Sequence, residues 1–216
     1  AADLESLTGD HLSIEDANQS GLDITHDLTI EFWLKPESIN KAGNNYVVSK
    51  AGNPNIAYGV SVLDENQKQF IRFWWSADGR FENYKDSDDL DLASGTWYHL
   101  AVTFNAALAQ VRFYLNGVPK GTQTGGQTSI FSGAAPFNIG AWNNGGRFAD
   151  GQIDEVRIWN RQRTEQEIAD NRNRELVGNE DNLMGYWKFD NTLADETVYG
   201  NDLTWNGPTD PVFIPQ

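Results

Sequence analysis

Cysteine is absent from the 216 residues, which excludes disulfides, thiolate metal sites and cysteine nucleophiles. Cationic residues are scarce: 16 Lys and Arg stand against 31 Asp and Glu, a formal net charge of −15. Such a chain has no basic surface with which to hold nucleic acid or an anionic membrane. Long apolar runs are missing too. Residues 93–111 carry no charge and approach the length of a membrane-spanning helix. Thr96, His99, Thr103, Asn105 and Gln110 interrupt them, however, and the apolar residues alternate, so the segment reads as strand, turn, strand, with no membrane insertion. No basic, apolar leader accompanies Ala1-Ala2-Asp3; a signal peptide, where one exists, lies outside this sequence. No Gly-x-Ser-x-Gly elbow, His-Glu-x-x-His helix or phosphate loop occurs. His11, His26 and His99 show no ligand spacing, and Asp86–Asp91 fails as an EF-hand, with Asp91 where a Gly is needed and Trp97 where a Glu is needed.

What is present is aromatic and alternating. Eight Trp, seven Tyr and eleven Phe supply ample core, and the pattern is that of β-strands. Leu28, Ile30, Phe32 and Leu34 share one face and Thr29, Glu31, Trp33 and Lys35 the other, until Pro36 stops the strand. Residues 46–50 form a short strand. Residues 57–63 and 70–75 form a hairpin around the polar turn 64–68, with Ile71, Phe73 and Trp75 on one face and Phe70, Arg72 and Trp74 on the other. Residues 97–104 pair with 110–116, and Asn116-Gly117 is a strong tight-turn signal. Residues 76–95 read as an acidic loop. Between Gly121 and Gly146 no charge appears, and Phe137–Gly140 is the strand expected within that span. In 151–159 the apolar phase slips by one between Ile153 and Val156, which predicts a β-bulge near Asp154 and Glu155. Thr164-Glu-Gln-Glu167 matches a capping box and opens one short helix near residues 165–174. Leu183–Asp190 and Thr204–Ile214 are late strands. The expectation is a single all-β domain over 1–216: a two-sheet antiparallel β-sandwich, or jelly roll, with that one helix.

Four segments resemble the laminin-G-like jelly rolls, relatives of pentraxins and concanavalin A-like lectins: Leu28–Pro36, Trp97–Phe104, Phe113–Gly117 and Gly151–Asn160 with its helix. The tail Gly185–Asp190 with Leu193–Asp195 is similar to bacterial members. The resemblance implies concave faces and a rim where calcium or sugar binds. The pentraxin calcium loops correspond to residues 52–55 and 142–144. These carry Asn53, Asn55, Asn143 and Asn144 but no carboxylate, so Asp150 and Asp154, near in sequence, are the charge candidates; the metal set is Asn53, Asn55, Asp150 and Asp154. Related sandwich glycosidases carry Glu-x-Asp-x-x-Glu on one strand, and no such run occurs here.

Sugars stack on aromatic rings while amide, guanidinium and carboxylate groups hold their hydroxyls. Trp97, Trp159 and Trp187 lie in the scaffold segments. The loop Trp142, Asn143, Asn144, Arg147 and Phe148 offers the required mixture, and Trp74 with Arg72 extends it across a sheet face. The sequence therefore points to a secreted or cell-surface, non-catalytic module that recognises carbohydrate or a glycosylated surface, with calcium as a candidate cofactor. An adhesive or protein-binding part of a larger protein is the alternative, and a glycan-active enzyme the third reading.

Overall fold

The structure is a computed structural model, and it describes residues 1–38, 45–52, 54–80, 82–143 and 147–215. Fifteen strands and one α-helix are found among them. In chain order they are β1 (Ala2–Leu4), β2 (His11–Ile14), β3 (Leu28–Pro36), β4 (Asn45–Ala51), β5 (Ile56–Glu65), β6 (Lys68–Trp75), β7 (Asn83–Asp86) and β8 (Tyr98–Asn105). There follow β9 (Gln110–Leu115), β10 (Val118–Thr124), β11 (Phe137–Ile139), β12 (Gly151–Trp159), α1 (Glu165–Asn171), β13 (Leu183–Trp187), β14 (Thr204–Asn206) and β15 (Val212–Phe213). Two antiparallel sheets form the sandwich. One runs β10-β9-β8-β3-β12-β1-β15, with β13 also paired to β12; the other runs β14-β2-β11-β4-β5-β6-β7. The jelly-roll expectation holds.

Alternation sets the core. Leu28, Ile30, Phe32 and Leu34 from β3 meet Tyr58, Val60 and Val62 from β5 and Ile71, Phe73 and Trp75 from β6 in one buried cluster. Each large side chain so buried contributes about 1.5–3 kcal/mol. The turns behave as their residues dictate: Asn116 and Gly117 take φ of 52° and 80° and join β9 to β10 with Leu115 opposite Val118. The bulge is in β12, where pairing to β3 slips between Asp154 and Arg157 and Glu155 adopts φ 50°. The capping box forms, with Thr164 and Glu167 bonding reciprocally. The helix ends at Asn171, short of residue 174.

Four expectations change. Residues 76–95 contain the edge strand β7, and 118–124 form a strand beyond the Asn-Gly turn. Thr204–Ile214 divides into two strands in different sheets, because Gly207-Pro208 interrupts it. The outward phase of β3 is also buried: Thr29 and Glu31 are inaccessible because α1 and its flanks cover that face. Glu31 Oε1 accepts from Trp159 Nε1 at 2.8 Å and from Arg163 Nη1. His99 Nε2 lies 3.6 Å from the other oxygen, so His99 sits on the polar face as expected but is itself buried. Trp33 is fixed there too, donating to the carbonyl of Arg172 at 2.9 Å.

Candidate functional site

The other outer face, on β4 to β7, is where the aromatic candidates meet. Cross-strand register places two rows on it: Tyr46, Ser61, Arg72 and Asp86 in one, and Ser49, Gly59, Trp74 and Tyr84 in the next. The Trp74 indole lies across β5, and Gly59 is what makes room. A Cβ there would stand 2.0 Å from Trp74 Cζ2 and 2.5 Å from the Val48 carbonyl, so no larger residue fits.

Residues 140–143 and 147–149 close onto this face. Gly140 N donates to Val47 O at 2.9 Å and Ala149 N to Gly140 O at 2.8 Å. Ser49 Oγ donates to Ala141 O at 2.7 Å. The fold back delivers Trp142 onto Trp74, with ring centroids 4.7 Å apart, and onto the edge of Tyr46 at 5.0 Å; Tyr46 and Trp74 are 5.7 Å apart. Tilted and edge-on pairs of this kind are worth about 0.5–1.5 kcal/mol each beyond the area they bury. Arg147 tops the cluster, 5.6 Å from the Tyr46 ring and 6.0 Å from the Trp142 ring, and its Nη1 donates to Tyr46 Oη at 2.9 Å. Burial raises the Tyr46 pKa, with Arg147 opposing, so the phenol is protonated at neutral pH.

The structure thus brings Trp142, Arg147 and Trp74 together, although Trp74 and Trp142 are far apart in sequence. It also changes their roles. Trp74 is 1% exposed and forms a floor, its Nε1 without a hydrogen-bond partner among the described residues; Trp142 is half-buried and keeps part of its surface accessible. Arg72 is on the same face but held bidentately by Asp86 at 2.7 and 2.9 Å. Asn143 follows Trp142 in a left-handed conformation (φ 40°). Asn144 and Asn53 lie outside the described residues. Phe148 turns away from the cluster: its ring packs 5.5 Å from His11 and against Gly9. Sequence reasoning missed Tyr46, which gave no signal beyond its place in a short strand, and Glu82, Tyr84 and Asp86, whose only signal was aromatic and charged residues sharing an acidic stretch.

The metal candidates are not gathered. Asn55 lies in the turn from β4 to β5, bonded to Gly79 O at 3.1 Å. Asp150 is at the other end of β4, about 20 Å away at the strand rise of seven residues, where it accepts from Ser6 Oγ and Ser38 Oγ at 2.6 Å each. Asp154 is buried on the opposite sheet, 3.5 Å from the α-amino group of Ala1. Burial pushes its pKa up to about 6 against the pull of that amine, helped by Glu155 and Asp190. Calcium takes six to eight oxygens, usually with carboxylates among them, and the candidates Asn55, Asp150 and Asp154 cannot share one ion. Among the described residues, the carboxylates that converge are Asp3, Glu5 and Glu37, within 4.8 Å of one another, on the eight-stranded sheet.

A cleft of about 370 Å³ lies at the end of α1, lined by Trp33, Glu155, Arg172, Arg174, Glu175 and Asp190 among others. Two of its carboxylates are occupied. Glu155 accepts from Tyr186 Oη at 2.7 Å and is paired with Arg157; Glu175 is paired with Lys188 at 2.6 Å.

A sandwich with one face sealed by a helix and the other open and aromatic belongs to the broad class of jelly-roll binding folds. More narrowly, the chain belongs to the concanavalin A-like lectin/glucanases superfamily, whose laminin G-type family model matches residues 7–169. It is 25% identical over 170 residues to the adhesion G-protein coupled receptor V1 of Danio rerio, a match covering 77% of this chain and 3% of that receptor. A putative carbohydrate binding protein from Bacteroides ovatus superposes with TM-score 0.68 at 17% identity, over all of this chain and 61% of the other. Domain 4 of AbnA, an extracellular arabinanase of Geobacillus stearothermophilus solved with arabinotriose, is 26% identical, with TM-score 0.52 over 69% of this chain and 68% of that one. The chain thus spans less than two thirds of the receptor and of the Bacteroides protein. No helix among the described residues is long and apolar enough to cross a membrane.

Proposed function

We propose that this chain is a non-catalytic module, working outside the cell, that binds carbohydrate on the outer face of the seven-stranded sheet. The observation carrying this reading is the Trp142–Tyr46–Trp74 cluster topped by Arg147. It presents a ring beside a guanidinium, which is the pairing of stacking surface and hydroxyl donor that sugars require. The likeness to a carbohydrate binding protein and to an arabinotriose-bound domain supports it. The chain acts as one folding unit over 1–216, a view supported by strands from both ends completing the sheets: β1 beside β15, and β2 beside β14. The absence of a Glu-x-Asp-x-x-Glu run in the sequence favours binding over glycoside hydrolysis, which needs two carboxyl groups flanking the scissile bond.

Calorimetric titration with arabino-oligosaccharides and a neutral polysaccharide panel tests the reading. Trp142→Ala weakens binding at least tenfold, the loss of about 1.4 kcal/mol; it also gives up the ring contacts with Trp74 and Tyr46, so affinity is measured below the variant's own unfolding midpoint. Unchanged affinity in the variant removes the loop from the site. The same titration with chelator decides on calcium: a fall in affinity places an ion in the assembly, and unchanged affinity removes it.

A second reading, an adhesive module that binds protein, is favoured by the 25% identity to an adhesion receptor over most of this chain. Failure to bind any glycan of the panel leaves this reading in place.

A further inference from the structure

The aromatic cluster occupies only one side of its sheet face. On the far side, Tyr84 of β7 lies directly opposite Trp74 and is 55% exposed. Arg72 holds it: the guanidinium sits 4.4 Å from the ring centroid and is itself locked by Asp86. The Tyr84 ring is therefore held in place, as Trp142 is by its edge and tilted contacts with Tyr46 and Trp74. Two supported rings thus stand on one surface, with the Ser61 to Arg72 row beside them. From β4 to β7 that surface crosses three strand spacings, about 14 Å, and a sugar ring is roughly as wide as one spacing.

Charge narrows the occupant further. Arg72 and Arg147 are matched by Asp86, bonded to Arg72, and by Glu82, which lies within electrostatic reach of both guanidinium groups. Glu65 adds a further carboxylate 3.8 Å from Arg72. The face offers no surplus of positive charge, and the chain as a whole carries −15. An anionic glycan meets net repulsion here.

We infer that this face binds an internal run of about three sugars from a neutral glycan chain, with Trp142 and Tyr84 as its two stacking platforms. The inference rests on the carbohydrate reading and adds the length and charge of the ligand. It is tested by calorimetry with neutral arabino-, xylo- and cello-oligosaccharides of one to six units and with oligogalacturonides of matched length. Affinity for the neutral ladder that binds rises at least tenfold from the disaccharide to the tetrasaccharide and then levels. Tyr84→Ala erases that rise, leaving the disaccharide affinity within twofold, and Tyr84→Phe restores it. Tyr84 is exposed on an edge strand, so both variants remain folded, which their unfolding midpoints verify. Affinity independent of length, a rise that Tyr84→Ala leaves intact, or tighter binding of oligogalacturonides overturns the inference while the carbohydrate reading stands. Binding of no member overturns both.

Discussion

The two outer faces of this sandwich are built from the same kind of strand and end up as opposites. On the eight-stranded sheet the outward phase carries Thr29, Glu31 and His99, all buried. There α1 and its flanks lay Arg163 and Ile168 over the strands, and Arg163 stacks 4.2 Å from the ring of Trp159 on β12. On the seven-stranded sheet the outward phase carries Tyr46, Trp74, Arg72 and Tyr84, and among the described residues Ala141, Trp142 and Arg147 reach over it. Ionic groups are thus interred where the fold is fastened, while on the other face Trp142 and Tyr84 keep accessible surface above the buried Trp74 and Tyr46. The first arrangement serves stability. The second leaves apolar surface in water, which a stable monomer tolerates chiefly at binding sites.

Breaking the sealed face gives the largest expected effect. Glu31→Gln removes the charge that compensates Arg163, whose side chain is 3% exposed. Stranding one member of a buried pair costs about 3–5 kcal/mol. Urea unfolding measures this loss, while glycan affinity of the folded fraction is unchanged because the other sheet carries the site. A cost below about 1 kcal/mol shows that the network is not the fastening it looks to be.

The same carboxyl gives a pH signature of slightly smaller size. Burial alone pushes the Glu31 pKa up, but His99 at 3.6 Å and the Arg163 guanidinium outweigh it and hold the group down at about 2. A carboxyl depressed on folding contributes stability that is complete above its ordinary value of 4.5 and is lost as pH falls through about 2. That difference corresponds to roughly 3 kcal/mol. Urea midpoints measured from pH 6 to pH 2 therefore fall more steeply for the parent than for Glu31→Gln, and the two curves converge at the acid end. Parallel curves assign the acid sensitivity to other carboxylates.

The contrast between the faces also explains what the sequence did and did not reveal. Period-two alternation identified the core of β3, β5 and β6, because the inward phase must be apolar whatever else happens. The slip between Ile153 and Val156 revealed the bulge, and Thr164 with Glu167 the helix start, since both are local. Alternation is silent on whether the outward phase is covered, which depends on where residues 161–176 return. Glu31 and His99 were therefore read as a polar face when they are buried polar groups. The edge strands β7 and β10 escaped because neither buries a side chain fully, so they carry no apolar period. Of the site, the composition of the 142–148 loop and the non-core phase of Trp74 and Arg72 were legible. Contact between Trp142 and Trp74 was not, because the loop's fold back depends on β11 pairing with β4. Phe148 shows the limit: it lies six residues from Trp142 and faces the opposite way.

The smallest change tests how the open face is held. Gly59→Ala adds one carbon, but that carbon arrives 2.0 Å from Trp74 Cζ2 and 2.5 Å from the Val48 carbonyl. Neither neighbour yields easily: one is a ring wedged beneath Trp142, the other is backbone in the centre of the sheet. Overpacking of this kind costs about 1–3 kcal/mol, less than stranding Arg163. The consequence for binding is larger than for folding. Displacing Trp74 lifts the floor on which Trp142 rests, so glycan affinity falls at least as far as in Trp142→Ala. Glu31→Gln and Gly59→Ala then form a crossed pair, the first costing stability without affinity and the second costing affinity beyond its effect on stability. Should Gly59→Ala bind as the parent does, Trp142 does not depend on Trp74 for its placement, and the open face is a single-ring site rather than a layered one.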